Sequence, residues 1–476
     1  MVTHRNSCIH SEFLDIFGDP NKMSDRKSWI SDCENYHRRD FLKVGSAGLL
    51  GITLADLLRA EATSREAVRD GGTGAAGPLP KPVSTSPKAK SVIMVWLAGG
   101  PATIDMWDPK PDAPDTIRGE FKAISTKVPG LQFSQHLPKM ASVADKTTVV
   151  RSIHHSIAAH ELGTQYMTTG NKPNPALIYP AMGSVSALML KTPVGVPPYV
   201  SFSDLRAGRS GGAGYLGPAY NPFPVEAGGG RLRVRGVSLP KELTVPELDR
   251  RDKLRNIFDE QFHAMDQGVE VAKGLDKFHI QALDILRNDR TQKAFQLTDE
   301  SEAMRAAYGP TPFGQSALAA RRLVEAGVRF VTVSLGGWDT HRDNFKSLGS
   351  RLLPQVDQIL STLIKDLDQR GLLDETIVYC AGEFARTPKV NKTAGRDHWA
   401  RSMAVVVAGG GFKRGYAHGT TQADGMAPST DPISPDDLSA TIFEQLGIDP
   451  HKELQTNNGR PMQLVRDGKP VEELVG

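Results

Sequence analysis

The chain has few cysteines, little net charge and no long apolar run. Its 476 residues include three cysteines, too few for a disulfide framework or a Cys-based zinc pattern. A formal charge of +3 predicts no nucleic-acid partner and no attraction to an anionic membrane. No P-loop or dinucleotide-binding glycine pattern occurs in a strand-turn-helix context. These absences leave an ordinary globular protein, long enough for one large α/β domain or two smaller ones.

The N-terminal region, residues 1–62, resembles a twin-arginine export signal. Arg38 and Arg39 precede a weakly apolar stretch of about fifteen residues, too short to span a membrane, and residues 60–62 (Ala-Glu-Ala) offer a cleavage site. A short amphipathic helix with an accidental arginine pair is the alternative. We expect export to the periplasm or beyond, a flexible linker at 63–89 and no membrane-spanning segment in the mature chain.

Two apolar runs, residues 329–335 and 375–381, each end in a glycine-containing break that carries acidic and imidazole side chains. A helical segment joins the runs, so they are predicted to be parallel strands whose carboxyl ends share one edge of a sheet. The side chains at and after these breaks are Asp339, His341, Glu383, Arg386, Asp397 and His398. Carboxylate and imidazole ligands suit a divalent metal, zinc or manganese first and calcium as a further possibility. An isolated Asp-x-His pair would equally be a pair of turn residues.

A third apolar run predicts the first strand of a domain that extends over residues 90–470. The run, residues 91–100, ends in two glycines, which is typical of a buried parallel strand. Asp105 and Asp108 follow the strand. Because Asp108 precedes a proline, we assign it to a turn and predict Asp105 as a metal ligand.

Three histidines, His154, His155 and His160, follow the second predicted strand. We predict His154 and His160 as acid/base residues, with solvated loop histidines as the alternative. Thr164 shares a helical face with His160, and its hydroxyl is a candidate nucleophile that a metal would activate. Ser156 is an equal candidate, so the nucleophile stays open.

Six motifs in order carry a resemblance to a known family: HRRDFLKVG, WLAGGPATIDMWDPKP, FGQSALAARRLVEAGVRFVTVSLGGWDTH, GEFARTP, GRDHW and DLSATIFEQLGID. Over about residues 36–460 they look like the bacterial domain-of-unknown-function family 1501. The resemblance implies an α/β fold like that of alkaline phosphatases and sulfatases, a three-layer sandwich with a mostly parallel sheet, helices on both faces and metals at the strand ends. The metal ligands that it implies are Asp105, Asp339 with His341, and Asp397 with His398.

The sulfatase nucleophile motif is absent, because His154, His155 and Ser156 stand at its place. We therefore expect no formylglycine mechanism, but an exported metal-dependent hydrolase of phosphate or sulfate esters with an anionic ester as substrate. Arg386 would clamp an anionic oxygen, and Glu383 would be a further ligand or would orient an imidazole. The alternatives are a catalytically inactive binding or assembly protein on the same fold, and a purely structural metal site.

Overall fold

The computed structural model describes residues 87–202, 205, 211–228, 231–234, 288–456 and 458–476. The predicted twin-arginine signal and nearly all of the predicted linker lie outside these residues, so both stay predictions. Within the described ranges, no helix combines the length and the apolar character needed to cross a membrane.

A nine-stranded sheet lies at the centre of the described chain. Its strands are β1 (Ser91–Ala98), β2 (Thr147–Ile153), β3 (Tyr199–Ser201), β4 (Phe223–Gly228), β5 (Arg231–Val234), β6 (Phe330–Gly336), β7 (Thr376–Ala381), β8 (Met403–Ala408) and β9 (Tyr416–His418), in the spatial order β9-β2-β8-β7-β1-β6-β3-β4-β5. β1 pairs in parallel with both β6 and β7. β8 runs antiparallel to β2 and β7, and β5 antiparallel to β4, whereas the other pairs are parallel. The carboxyl ends of β1, β2, β6 and β7 therefore share one edge.

Helices and short ribbons surround the sheet. The helices are α1 (Asp115–Arg118), α2 (Pro138–Ala141), α3 (His160–Thr169), α4 (Met182–Met189), α5 (Asp289–Phe295), α6 (Glu302–Tyr308), α7 (Pro312–Ala326), α8 (Asn344–Ser347), α9 (Leu353–Gln369) and α10 (Pro435–Gln445), with a π-helical turn at Leu348–Leu352 between α8 and α9. The antiparallel ribbons pair Ala123–Ser125 with Gln132–Ser134, Ala385–Arg386 with His398–Trp399, Thr420–Thr421 with Pro428–Thr430, and Glu453–Gln455 with Pro461–Gln463. The ribbon of Arg386 and His398 is the one that builds the site described below.

Two apolar cores lie on opposite faces of the sheet. Successive side chains of a strand point to opposite faces, so alternate residues of β1 from Ile93 to Leu97 pack with α7 and α9. The intervening residues from Val92 to Trp96 pack with α4 and α10. Burial on both faces explains why β1 is a continuous apolar run. The predicted three-layer α/β sandwich with a mostly parallel sheet is thereby confirmed.

The connection into β6 is determined by residues at both ends of α7. Thr311 caps the amino terminus by accepting a hydrogen bond from the Gly314 N–H, and Pro312 occupies the first turn, where a missing N–H costs nothing. Gly327 ends the helix in the left-handed region with φ of 104°. The chain then enters β6 beside β1, which brings Asp339 to the edge of the sheet where β1 ends.

Candidate metal centre

The site begins where β1 and β6 end side by side. Gly99, just past β1, has φ of 121°, and a Cβ atom placed on it would lie 2.5 Å from the Asp339 backbone nitrogen. Only glycine permits both this conformation and this close approach. The backbone of Asp339 is therefore packed directly against the end of β1.

Asp339 is the centre of an imidazole cluster. Its Oδ1 lies 3.1 Å from His341 Nε2 and 3.2 Å from His398 Nε2, and its Oδ2 lies 3.4 Å from His160 Nε2. Candidate ligand atoms of His160, Asp339 and His398 all lie within 4.8 Å of one another. His341 borders this set, because its Nε2 is 3.0 Å from that of His398. These side chains come from three separate segments of the chain.

In each of the three rings, Nδ1 lies against an oxygen acceptor of the protein and Nε2 faces the Asp339 carboxylate. An imidazole that donates from Nδ1 has its Nε2 lone pair available for a metal ion. The pairs are His160 with Glu383 Oε1 at 2.6 Å, His341 with Asp397 Oδ1 at 2.8 Å, and His398 with the Ala158 carbonyl at 2.9 Å. Imidazoles held in this way by an outer oxygen are typical of metal ligands.

Glu383 orients His160, and both of its carboxylate oxygens are hydrogen-bonded within the protein. It is buried, and the Gly99 N–H donates to both its oxygens at 3.0 and 3.2 Å. The hydrogen bond to Glu383 raises the pKa of His160 against the opposing effect of burial. Of the two roles predicted for Glu383, the geometry fits the carboxylate that orients an imidazole. Asp397 has the same relation to His341, where the sequence predicted a ligand.

Arg386 holds Asp339 in place. Its buried guanidinium donates to Asp339 Oδ1, to the carbonyl of Gly99, to that of Gly100 at 2.8 Å and to that of Arg396 at 3.1 Å. Burial alone would raise the pKa of Asp339, but the hydrogen bond and charge of Arg386 outweigh it, and the pKa falls to about 2. The structure assigns Arg386 to Asp339, whereas the sequence predicted a clamp on the substrate, because all three guanidinium nitrogens already donate to the protein.

Asp105 requires a correction, because the structure buries it away from the cluster. Arg396 Nε and Nη2 each donate to one oxygen of Asp105 at 2.8 Å, and Asn344 adds a third hydrogen bond at 2.8 Å. A 3-10 turn after β1, Thr103–Asp105, carries the carboxylate into the core. Asp105 is thus the counter-ion of Arg396, where the sequence predicted a metal ligand.

The other predicted catalytic residues, His160, Thr164 and His154, have different surroundings in the structure. His160, predicted as an acid/base residue, is one of the three residues whose side chains could hold a metal ion. Thr164 donates its hydroxyl proton to the carbonyl of His160 at 2.7 Å, one turn back in α3, so its hydroxyl supports the helix. His154 is half-buried, and its Nδ1 has no hydrogen-bond partner within the described ranges. Its acid/base role stays a prediction.

His155 is the residue that sequence reasoning undervalued. Its buried ring donates from Nε2 to the Glu383 carbonyl at 3.0 Å, and its Nδ1 accepts from the Ile157 N–H at 3.2 Å. It lies two residues past Ile153, the last residue of β2. Both faces of β2 are buried, so the sequence offered no alternation that would distinguish His155 from His154.

Acid is expected to destabilise the metal-free protein through His155. Burial lowers the pKa of His155 to about 4, so between that value and the ordinary value near 6.5 only the unfolded chain binds the proton. Stability is therefore complete above pH 6.5 and falls toward pH 4, by about 2 kcal/mol at pH 5. Urea unfolding at pH 7 and pH 5 measures this loss. His155→Gln keeps a hydrogen-bond donor but does not titrate, so the loss of stability between pH 7 and pH 5 should be smaller in this variant by about 2 kcal/mol. An equal pH dependence in both proteins would contradict the assignment.

The described domain is an α/β sandwich with a histidine-carboxylate cluster at its strand ends. Comparison with known proteins shows the family of the chain. The chain belongs to the family described as protein of unknown function (DUF1501), whose sequence model matches residues 89–475. The predicted family resemblance is thus confirmed. No curated protein matches the chain.

Solved structures of similar fold include three hydrolases. The PsFucS1 sulfatase from Pseudoalteromonas sp. has 11% identity and a TM-score of 0.36 over 76% of this chain and 68% of that chain. The phosphonate monoester hydrolase SpPMH from Silicibacter pomeroyi has 13% identity and a TM-score of 0.29 over 80% of this chain and 76% of that chain. The alkaline phosphatase from the Antarctic bacterium TAB5 has 14% identity and a TM-score of 0.31 over 76% of this chain and 99% of that chain. These values are too low to transfer a reaction or a substrate to this chain.

Proposed function

We propose that the protein is a metal-dependent hydrolase of phosphate or sulfate esters. The observation that carries this proposal is the solvent-facing ligand set. The side chains of His160, Asp339 and His398 are 29%, 49% and 24% exposed. Structural zinc sites are closed by four protein ligands, whereas catalytic sites have three and leave one position open. A set of three ligands with an exposed side fits the catalytic kind.

The donor atoms favour zinc. His160 and His398 offer imidazole nitrogen, and Asp339 adds one carboxylate oxygen. Zinc binds such mixed nitrogen and oxygen sets, manganese prefers more oxygen, and calcium takes oxygen ligands almost exclusively. We therefore place zinc first, manganese second and calcium last.

The reaction would be hydrolysis by water. A bound metal would lower the pKa of water and stabilise negative charge on the transferred group. The water oxygen would attack phosphorus or sulfur, the bond from that atom to the alcohol oxygen would break, and the alcohol would leave with a proton. Arg386 keeps Asp339 ionised, and Glu383 keeps the Nε2 of His160 directed at the cluster. The Thr164 hydroxyl is committed to the backbone, which leaves the exposed Ser156 hydroxyl and water as nucleophiles. Water is placed first because a bound metal would activate it directly.

Export completes the proposal. The arginine pair Arg38-Arg39 and the short apolar stretch behind it support a twin-arginine route to the periplasm or beyond. That route carries folded proteins, so the metal would bind before export. The substrate would then be an anionic ester outside the cytoplasm.

The full chain, stripped with a chelator and reloaded with zinc, is expected to hydrolyse p-nitrophenyl phosphate or p-nitrophenyl sulfate. Activity should disappear in the chelated protein and return with zinc, and His398→Ala should lack it, since a ligand is lost. His451→Ala, an exposed histidine elsewhere, is the matched control. Zinc binding without turnover of any ester would favour the inactive binding protein. A chelator effect on the melting temperature alone would favour a structural metal.

A further inference from the structure

An exposed arginine lies over the strand end that leads into Asp339. Gly337 stands two residues before Asp339 and has φ of 100°. A Cβ atom placed on Gly337 would lie 2.8 Å from Arg351 Nη2 and 3.2 Å from Arg351 Nη1. The guanidinium of Arg351 therefore occupies the space that a side chain at Gly337 would fill, beside the chain segment that carries the metal centre.

A π-helical turn places Arg351 there. The turn, Leu348–Leu352, contains one more residue per turn than an α-helix, and such turns occur frequently at functional sites. Leu348 and Leu352 at its two ends are fully buried and anchor it in the core. Arg351 between them is exposed. The buried leucines thus hold the backbone of Arg351 in place, and its guanidinium extends from that backbone to Gly337.

The charges around the site leave Arg351 free for a ligand. Arg386 and Arg396 are buried and donate to protein acceptors. The guanidinium of Arg351 has no hydrogen-bond or ion-pair partner within the described part of the chain. The cluster and its outer shell contain three carboxylates, those of Asp339, Glu383 and Asp397. An anionic ester approaching these carboxylates needs an uncommitted cation nearby, and a planar guanidinium binds two oxygens of a tetrahedral oxyanion at once.

We propose that Arg351 binds the phosphate or sulfate group of the substrate. The proposal rests on the proposed hydrolase function and assigns to Arg351 the clamp that Arg386 is too occupied to provide. Arg342 and Arg401 are also exposed and adjoin the site in sequence. The guanidinium of Arg401 lies 5.7 Å from the centre of the Trp399 ring, whereas that of Arg351 lies against the strand end before Asp339.

The test compares Arg351→Ala and Arg351→Lys with Arg305→Ala in the zinc-loaded full chain. Arg305 is an exposed arginine of α6, a helix that contributes no residue to the site. Calorimetric titration with inorganic phosphate and with inorganic sulfate measures anion binding directly. Loss of the guanidinium should weaken binding of the preferred anion, and raise KM for its aryl ester, by about ten- to a hundredfold. Lysine should restore part of the binding, and Arg305→Ala should equal the wild type.

Each outcome separates this proposal from the proposed function. If the wild type binds phosphate or sulfate but hydrolyses no ester, the proposed hydrolase function is wrong. The role of Arg351 in anion binding is still supported in that case if Arg351→Ala loses the binding. If Arg351→Ala binds the anion as tightly as wild type with its zinc intact, the proposal is overturned. It is also overturned if the zinc-loaded wild type binds neither anion, or if the folded alanine and lysine variants both lose zinc, since Arg351 would then support the metal centre.

Discussion

Replacement of Asp339 by alanine is expected to empty the metal centre and abolish ester hydrolysis. The Asp339 carboxylate is the shared neighbour of the Nε2 atoms of His160, His341 and His398, and it also accepts from Arg386. Without it the imidazoles lose the anionic ligand that offsets the charge of a divalent ion. Elemental analysis should find about one zinc per wild-type chain and almost none in the variant.

A graded series tests whether Asp339 is a ligand and Asp397 an orienting residue. Asp397 orients His341, which borders the three ligands, so Asp397→Ala should weaken zinc binding by at most the roughly 10- to 100-fold typical of a lost outer hydrogen-bond partner, and by less than Asp339→Ala. Asp339→Asn keeps an acceptor for the hydrogen bond from Arg386, so loss of zinc in this variant would not be explained by unfolding. Asp112→Ala, at an exposed position, is the control. If the asparagine variant holds zinc as tightly as wild type, Asp339 is not a ligand.

Asp105→Ala is expected to lower the free energy of unfolding by about 3–5 kcal/mol while leaving zinc bound. It removes one partner of a buried ion pair and strands the Arg396 guanidinium without its counter-ion. Such a loss is a large part of the roughly 5–15 kcal/mol that stabilises a typical domain. Urea unfolding of the metal-free chain measures the loss, and elemental analysis of the folded protein measures the zinc.

The double variant Asp105→Ala/Arg396→Met provides the control for this ion pair. Replacing a whole buried pair by apolar side chains is often neutral, but Arg396 also donates to the carbonyls of Ile117 and Thr387. The double variant should therefore regain only part of the lost stability. The two single variants should both keep their zinc. If Asp105→Ala lost zinc at a concentration where Arg396→Met retained it, Asp105 would return to the ligand set, and the counter-ion role would not suffice.

The architecture, and the edge of the sheet that carries the site, could be predicted from the amino-acid sequence. β1, β6 and β7 could be predicted because each is an apolar run that ends at a glycine-containing break. A parallel arrangement then requires that the residues after β6 and β7 lie at one edge. Asp339, His341 and His398 were predicted together on that ground, and the structure brings their side chains together.

Tertiary structure alone decided which polar side chain serves which purpose. The sequence predicted Asp105 and Asp397 as metal ligands and Glu383 as a further ligand or an orienting residue, but each carboxylate has a different partner in the fold. The partners come from far along the chain: Asp105 meets Arg396, and Glu383 meets His160. A charged group is ligand, counter-ion or orienting residue according to the atoms within about 3 Å of it. Periodicity along the chain predicts strands and their ends, whereas those distances are determined by how separate loops pack across the sheet edge.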